Sequence, residues 1–202
     1  MKQAASKPRR LVGKGMVRVD ADGKVRGRTR YLNDIAYKGL LHGVVVRSPV
    51  ARGIFKALVP DPAFDWSKVV LATAADIPGE NVVHMHDRTM PLLAEPGGEL
   101  RYRGEPVAVV AAKTPELAAE AAARLRIETE ELPPLLTLQE AIAVFKKSPK
   151  RFDSMKDQDI VKGDLAKGFA DADDVLEAEY WAGHQEQLYI ENQGFVVFPQ
   201  KD

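Results

Sequence analysis

The stretch PVAVVAAKTPELAAEAAARLRIETEE, residues 106–131, carries the clearest structural pattern in this 202-residue chain. Residues 107–111 are apolar and mostly β-branched or small, which is typical of a buried strand. Thr114 and Pro115 predict a helix start, because threonine caps a first turn and the missing proline N–H costs nothing there. Apolar residues then recur on one helical face. Apolar and polar residues alternate at residues 127–129, which predicts a second strand.

Small residues on the helix face, Ala121 among them, predict that the helix lies close against a sheet. A right-handed crossover would place strands 107–111 and 127–129 in one sheet, with the helix against it. Two earlier apolar runs, residues 41–47 and 54–59, are also predicted strands, and we expect them to pair with each other. The predicted fold class is therefore α/β, in the broad sense that includes α+β.

The second half of the chain contains weaker patterns. Thr137 and Glu140 have the spacing of a capping box, which predicts a short helix through Phe145. Alternation at residues 176–180 and the apolar run 194–198 predict two further strands near the C-terminus.

Changes in charge along the chain indicate its organisation. The totals are balanced, with 29 Lys and Arg against 29 Asp and Glu, but the N-terminal part is basic and the C-terminal part is acidic. We expect a basic arm at residues 1–26, an α/β domain at residues 27–150, and a linker with the start of a further domain at residues 151–202.

Composition also excludes several classes of function. The basic segment has few aromatic residues that could stack on bases, so we expect no nucleic-acid partner. The sequence contains no cysteine, which removes disulfides, thiol nucleophiles and cysteine-ligated iron–sulfur clusters. No apolar run approaches the ~18 residues of a membrane span, so we expect a cytoplasmic protein without a membrane partner.

Two polar clusters are candidate sites. His84 and His86 would face the same side of a strand and, with Asp87, could hold a metal; two ordinary loop histidines are the alternative. Gln185 and Glu186 lie between two predicted strands, where amide and carboxylate groups can fix a polar cofactor without ligating a metal. The alternative for this second cluster is a set of partnered structural acids.

A series of short motifs follows in order from residue 27 to residue 198. They are Gly27 with Tyr31 and Asp34-Ile35, Arg47-Ser48-Pro49-Val50-Ala51, Ala74-Ala75-Asp76-Ile77-Pro78-Gly79, Pro91-Leu92-Leu93, Tyr102-Arg103-Gly104-Glu105-Pro106-Val107-Ala108, Glu131-Leu132-Pro133, Gly163-Asp164, Phe169-Ala170-Asp171-Ala172-Asp173 and Gln185-Glu186-Gln187-Leu188-Tyr189-Ile190-Glu191. Together they resemble the N-terminal part of the molybdenum-cofactor-binding subunit of the xanthine dehydrogenase and aldehyde oxidase family. Four positions depart from the family pattern. Histidine is frequent at the positions of Arg52 and Gln187, glutamine at Glu105 and an aromatic residue at Glu130.

The resemblance implies a hammerhead-type α/β domain, followed by the first strands of a molybdopterin-binding domain. It also implies hydroxylation of a purine, another N-heterocycle or an aldehyde at a molybdenum cofactor bound mainly by residues outside this chain. The expected partners are the remaining molybdopterin-binding region and subunits or domains that carry iron–sulfur clusters and FAD. Because the family's catalytic motifs lie downstream of the matching residues, we expect no catalytic residue here and no activity from the isolated chain. Such a chain would be a truncated subunit or one piece of a split one.

Two other functions remain open from the sequence. One is a stand-alone protein-interaction module without catalysis. The other is a metal-dependent hydrolase that uses His84, His86 and Asp87.

Overall fold

The computed structural model describes residues 12–83, 90–148 and 160–199. The chain divides into two compact units, one made of residues 39–178 and the other of residues 1–38 with residues 179–202. No helix in the described ranges is both long enough and apolar enough to cross a membrane.

The larger unit is built on antiparallel strands. Its described strands are β1 (His42–Arg47), β2 (Gly53–Pro60), β3 (Val70–Thr73), β4 (Glu99–Leu100), β5 (Pro106–Ala112) and β6 (Leu125–Glu131). One three-stranded sheet has the order β1-β5-β3 and the other has the order β4-β2-β6. The sheets are therefore centred on β5 and β2, each of which has a neighbour on both sides.

The described helices are short. They are α1 (Ala21–Val25), α2 (Pro115–Ala123), α3 (Leu138–Lys147) and α4 (Leu165–Ala170), and single 3₁₀ turns occur at Leu32–Asp34, Trp66–Lys68 and Ala74–Asp76. The first helix lies in the smaller unit and the other three lie in the larger one.

The core of the larger unit consists of two adjoining clusters. One contains Val46, Ala108, Val110, Ala121 and Leu125, and the other contains Phe55, Ala94, Leu100 and Val107. Leu58 and Ile127 pack against both clusters, so the side chains of β2 and β6 join the two sheets into one apolar interior.

The predicted helix start is confirmed. The Thr114 side chain accepts the Leu117 N–H, Pro115 is the first helical residue, and Ala118 and Ala121 are buried. The capping box at Thr137 and Glu140 is also present. These features depend on residues three or four positions apart, which is why the sequence alone predicts them well.

The predicted pairing of strands 41–47 and 54–59 is wrong. β1 pairs with β5, whereas β2 pairs with β4 and β6 in the other sheet. After β1, Ser48 donates its N–H to the Glu105 carbonyl and accepts the Gly104 N–H, so the chain follows β5 to its beginning. The chain enters the second sheet, as β2, only after Ser48.

The predicted crossover that places strands 107–111 and 127–129 in one sheet is also wrong. Both strands exist, as β5 and β6, but they lie in different sheets. Both edges of β5 are occupied, by β1 and β3, which leaves no edge for β6. β6 instead pairs with β2 along nearly its whole length.

At the beginning of β2 this pairing is very close. A Cβ atom at Gly53 would lie 2.8 Å from the Glu130 carbonyl oxygen, a distance that real Cβ atoms essentially never show. A residue without a side chain is therefore needed where the two strands approach each other.

The predicted strands at 176–180 and 194–198, expected as the start of a molybdopterin-binding domain, are not found. Residues 160–199 contain α4, capped by the Asp164 side chain, but no strand. A strand needs a neighbour for its N–H and C=O groups, and the described residues provide none here.

Candidate functional site

The junction where β1 ends and β5 begins contains the buried polar residues of the described chain. Ser48 is 3% exposed and Glu105 is 2% exposed. Water does not reach polar groups at such positions, so they require partners within the protein.

Each of these buried groups has a partner. The Glu105 carboxylate accepts the Arg101 N–H at 2.6 Å and lies 3.8 Å from the Arg101 Nε. The Ser48 hydroxyl donates to the Val50 carbonyl at 2.9 Å. Arg47 closes the junction from outside by donating to the Gly104 carbonyl at 2.8 Å. The arrangement joins two segments that are far apart in sequence.

A second polar cluster lies where β6 ends. Arg52 donates to the Glu99 carboxylate at 2.5 Å and to the Pro133 carbonyl at 3.0 Å. Its own carbonyl accepts the Leu132 N–H at 3.1 Å. Arg52 therefore connects β4 with the chain that leaves the second sheet. A histidine, which is frequent at this position in the family that the sequence resembles, has no five-donor guanidinium and cannot reproduce the set of contacts.

Several exposed carboxylates have lowered pKa values for local reasons. The pKa of Asp61 is lowered first by the Ala63 N–H, at 2.9 Å, and then by Arg124, at 3.0 Å. The pKa of Glu130 is lowered by the neighbouring Lys56. These shifts reflect caps and ion pairs at the ends of elements.

The smaller unit contains a polar cleft of about 430 Å³. It is lined by Arg30, Tyr31, Leu32, Ile35, Glu191, Asn192, Gln193 and Gly194. The Glu191 carboxylate accepts the Leu32 N–H, and the rings of Tyr37 and Phe198 meet edge to face with centroids 4.8 Å apart. The C-terminal segment thus lies against residues 31–37.

The candidate cofactor residues occupy a different place from this cleft. Gln185 and Glu186 are exposed and do not line it, and the Glu186 carboxylate accepts the Gln187 N–H at 3.0 Å. The other candidate cluster, His84, His86 and Asp87, lies outside the described residues. Within the described ranges, no group of three or more His, Asp or Glu residues is arranged to hold a metal ion.

The sequence interpretation missed the contacts at both polar junctions. Ser48 and Glu105 were recognised as parts of two motifs, but the hydrogen bond between them joins residues 57 positions apart. The sequence contains both motifs, and this was the only sign of the contact. Local patterns do not indicate which distant motifs meet in the fold.

Two antiparallel sheets with a short helix against one of them define a mixed α/β domain of the hammerhead class. Residues 26–133 match the family model described as the aldehyde oxidase and xanthine dehydrogenase a/b hammerhead domain. The chain therefore belongs to the aldehyde oxidase and xanthine dehydrogenase family.

Individual proteins similar to this chain bear names that agree with the family. The chain is 30% identical to a probable xanthine dehydrogenase subunit of Bacillus subtilis over 92% of its own length, which is 25% of that protein. It is 31% identical to the nicotinate dehydrogenase large molybdopterin subunit of Eubacterium barkeri, over 93% of its length and 44% of that protein. Thus it spans a quarter to less than half of these relatives.

A solved structure is also similar to this chain. Quinoline 2-oxidoreductase from Pseudomonas putida 86 superimposes with a TM-score of 0.54 and 29% sequence identity. The match covers 64% of this chain and 17% of that one.

Proposed function

We propose that this chain forms the hammerhead part of a molybdenum-dependent hydroxylase, and that the assembled enzyme acts on a purine, another N-heterocycle or an aldehyde. The observation that carries the proposal is the family match over residues 26–133. The names of three similar proteins, xanthine dehydrogenase, nicotinate dehydrogenase and quinoline 2-oxidoreductase, all refer to nitrogen heteroaromatic compounds.

In this proposal the chain is a scaffold, and most of the cofactor site lies outside it. The described residues do not enclose a molybdenum cofactor: Gln185 and Glu186 are exposed, and no cluster of metal-ligating side chains accompanies them in the described ranges. Gln185 and Glu186 are proposed as contacts that this chain adds when the remaining molybdopterin-binding region is present.

The proposed partners follow from composition. A chain without cysteine cannot supply thiolate ligands, so any iron–sulfur cluster of the enzyme must be held by another subunit or domain. The resemblance to the family, rather than composition, assigns FAD to a partner subunit or domain as well. We propose a cytoplasmic enzyme, with this chain organised as residues 1–26, 27–150 and 151–202.

The proposal is tested by purifying the affinity-tagged chain from its native cells. We expect further polypeptide to purify with it, together with molybdenum detectable by elemental analysis. The preparation should reduce an electron-accepting dye when hypoxanthine, nicotinate, quinoline or an aldehyde is supplied, whereas the isolated 202-residue chain should contain no molybdenum and show no turnover. A tagged chain that purifies alone, without molybdenum, contradicts the proposal.

A further inference from the structure

Helix α3 has an apolar face that is largely open to solvent. Leu138 is 69% exposed and Ile142 is 43% exposed, and Leu136, just before the helix, is 75% exposed. Leu138 and Ile142 are four residues apart and therefore lie one above the other on the same side. Charged residues such as Glu140 and Lys147 occupy other sides, so the helix is amphipathic.

This exposure is unfavourable for the helix on its own. An isolated helix of ten residues is marginal in water, since most helical stability in proteins comes from packing an amphipathic face. The capping box at Thr137 offsets only part of that deficit. A surface that packs over Leu138 and Ile142 would supply the missing stabilisation.

The size of this apolar face indicates whether a freely diffusing partner or a connected region would cover it. A ten-residue helix is ~15 Å long and ~10 Å wide, so its footprint is far below the ~800 Å² per partner of a standard stable interface. A freely diffusing partner would bind such a patch weakly. A region connected to this chain is held at an effective concentration in the millimolar range, and a small patch is then sufficient.

We propose that the apolar face of α3, formed by Leu138 and Ile142, binds the remaining molybdopterin-binding region of the same subunit, together with the exposed Leu136 just before the helix. The inference rests on the proposed function. It is supported by the lengths of the relatives, of which this chain matches only 25% and 44%, so each of them carries much additional chain. The face thereby becomes the interface through which the hammerhead domain is oriented in the enzyme.

A second copy of this chain is the competing occupant. The helix has Glu140 in its first turn and Lys146 and Lys147 in its last turn, so two antiparallel copies would place opposite charges together. The footprint argues against a stable dimer of this kind, because two such helices still bury too little area. Self-association is therefore an outcome that the experiment must detect.

The experiment compares hydrogen exchange of α3 in two preparations, the isolated 202-residue chain and the tagged chain purified in its assembled form. We expect the amides of residues 142–147 to exchange at least about tenfold more slowly in the assembled form. Ile142→Asp should abolish that protection and reduce the amount of assembled enzyme recovered. Ala143→Asp is the matched control, because it introduces the same charge one position away on a different side of the helix and should leave both readings unchanged.

The outcomes separate a failure of the α3 interface from a failure of the proposed function. If the assembled enzyme forms and contains molybdenum but α3 is no better protected, or Ile142→Asp assembles normally, the α3 interface is wrong and the proposed function stands. If the isolated chain forms a concentration-dependent dimer that Ile142→Asp disrupts, the occupant is a second copy and the inference is also wrong. If no further polypeptide or molybdenum accompanies the wild-type chain, the proposed function itself fails.

Discussion

Ser48 donates its main-chain N–H to the carbonyl of Glu105 at 2.8 Å, and both residues are buried. Because Ser48 follows β1 and Glu105 precedes β5, this bond fixes the end of one strand against the beginning of its neighbour. The Glu105 carboxylate continues the connection to the Arg101 N–H. The motifs around Ser48 and Glu105 therefore act as one structural unit.

Replacing Glu105 by leucine should lower the free energy of unfolding by about 1–3 kcal/mol, because the Arg101 N–H loses its buried acceptor. Glu105→Gln is the control, since its amide oxygen can still accept that bond and glutamine is the more frequent residue in the family. Urea denaturation of the three proteins measures the difference. Equal stability of the leucine variant and the wild type would show that the bond contributes little.

Replacing Ala121 by leucine should lower the free energy of unfolding by about 1–3 kcal/mol, because overpacking displaces α2 from the core. Ala121 is fully buried in the cluster around Val110, so no space exists for a larger side chain. Ala123→Leu changes an exposed position of the same helix and should have little effect. Comparable denaturation midpoints for the two variants would contradict the packing of α2.

Replacing Thr114 by alanine should cost about 1 kcal/mol of unfolding free energy, because the Leu117 N–H loses its capping acceptor. Thr114→Ser retains the hydroxyl and should stay close to the wild type. Thermal and urea denaturation provide the comparison. An alanine variant as stable as the serine variant would mean that the cap does not stabilise α2.

Replacing Asp61 by asparagine should destabilise the protein at neutral pH and have a smaller effect in acid. Asparagine can still accept the Ala63 N–H but loses the charge that attracts Arg124. Because folding lowers the pKa of Asp61, its stabilising contribution is present above the unfolded pKa of about 3.9 and disappears as the pH falls through the lower folded value.

The check on Asp61 is the free energy of unfolding of wild type and variant at pH 7 and pH 3, at low salt. The difference between them should shrink at pH 3, and should also shrink at pH 7 when salt screens the ion pair. A difference that is the same under all three conditions would exclude a contribution from the ionised carboxylate.

Local structure was predictable from the sequence wherever short-range contacts decide it. The N-cap of α2 at Thr114 and the capping box of α3 at Thr137 both involve hydrogen bonds between residues three positions apart. The apolar runs that became β1, β2 and β5 were located to within one residue. Composition also determined that cysteine-based chemistry cannot occur in this chain.

Only the tertiary structure decided which strands are neighbours and which polar groups meet. Alternation indicates that a segment is a strand and which face is apolar, but every strand edge offers the same N–H and C=O groups. The choice of β5 rather than β2 as the neighbour of β1 depends on contacts such as Ser48 with Glu105, between residues distant in sequence. The predicted C-terminal strands failed for the same reason, since alternation cannot form a sheet without a neighbouring edge.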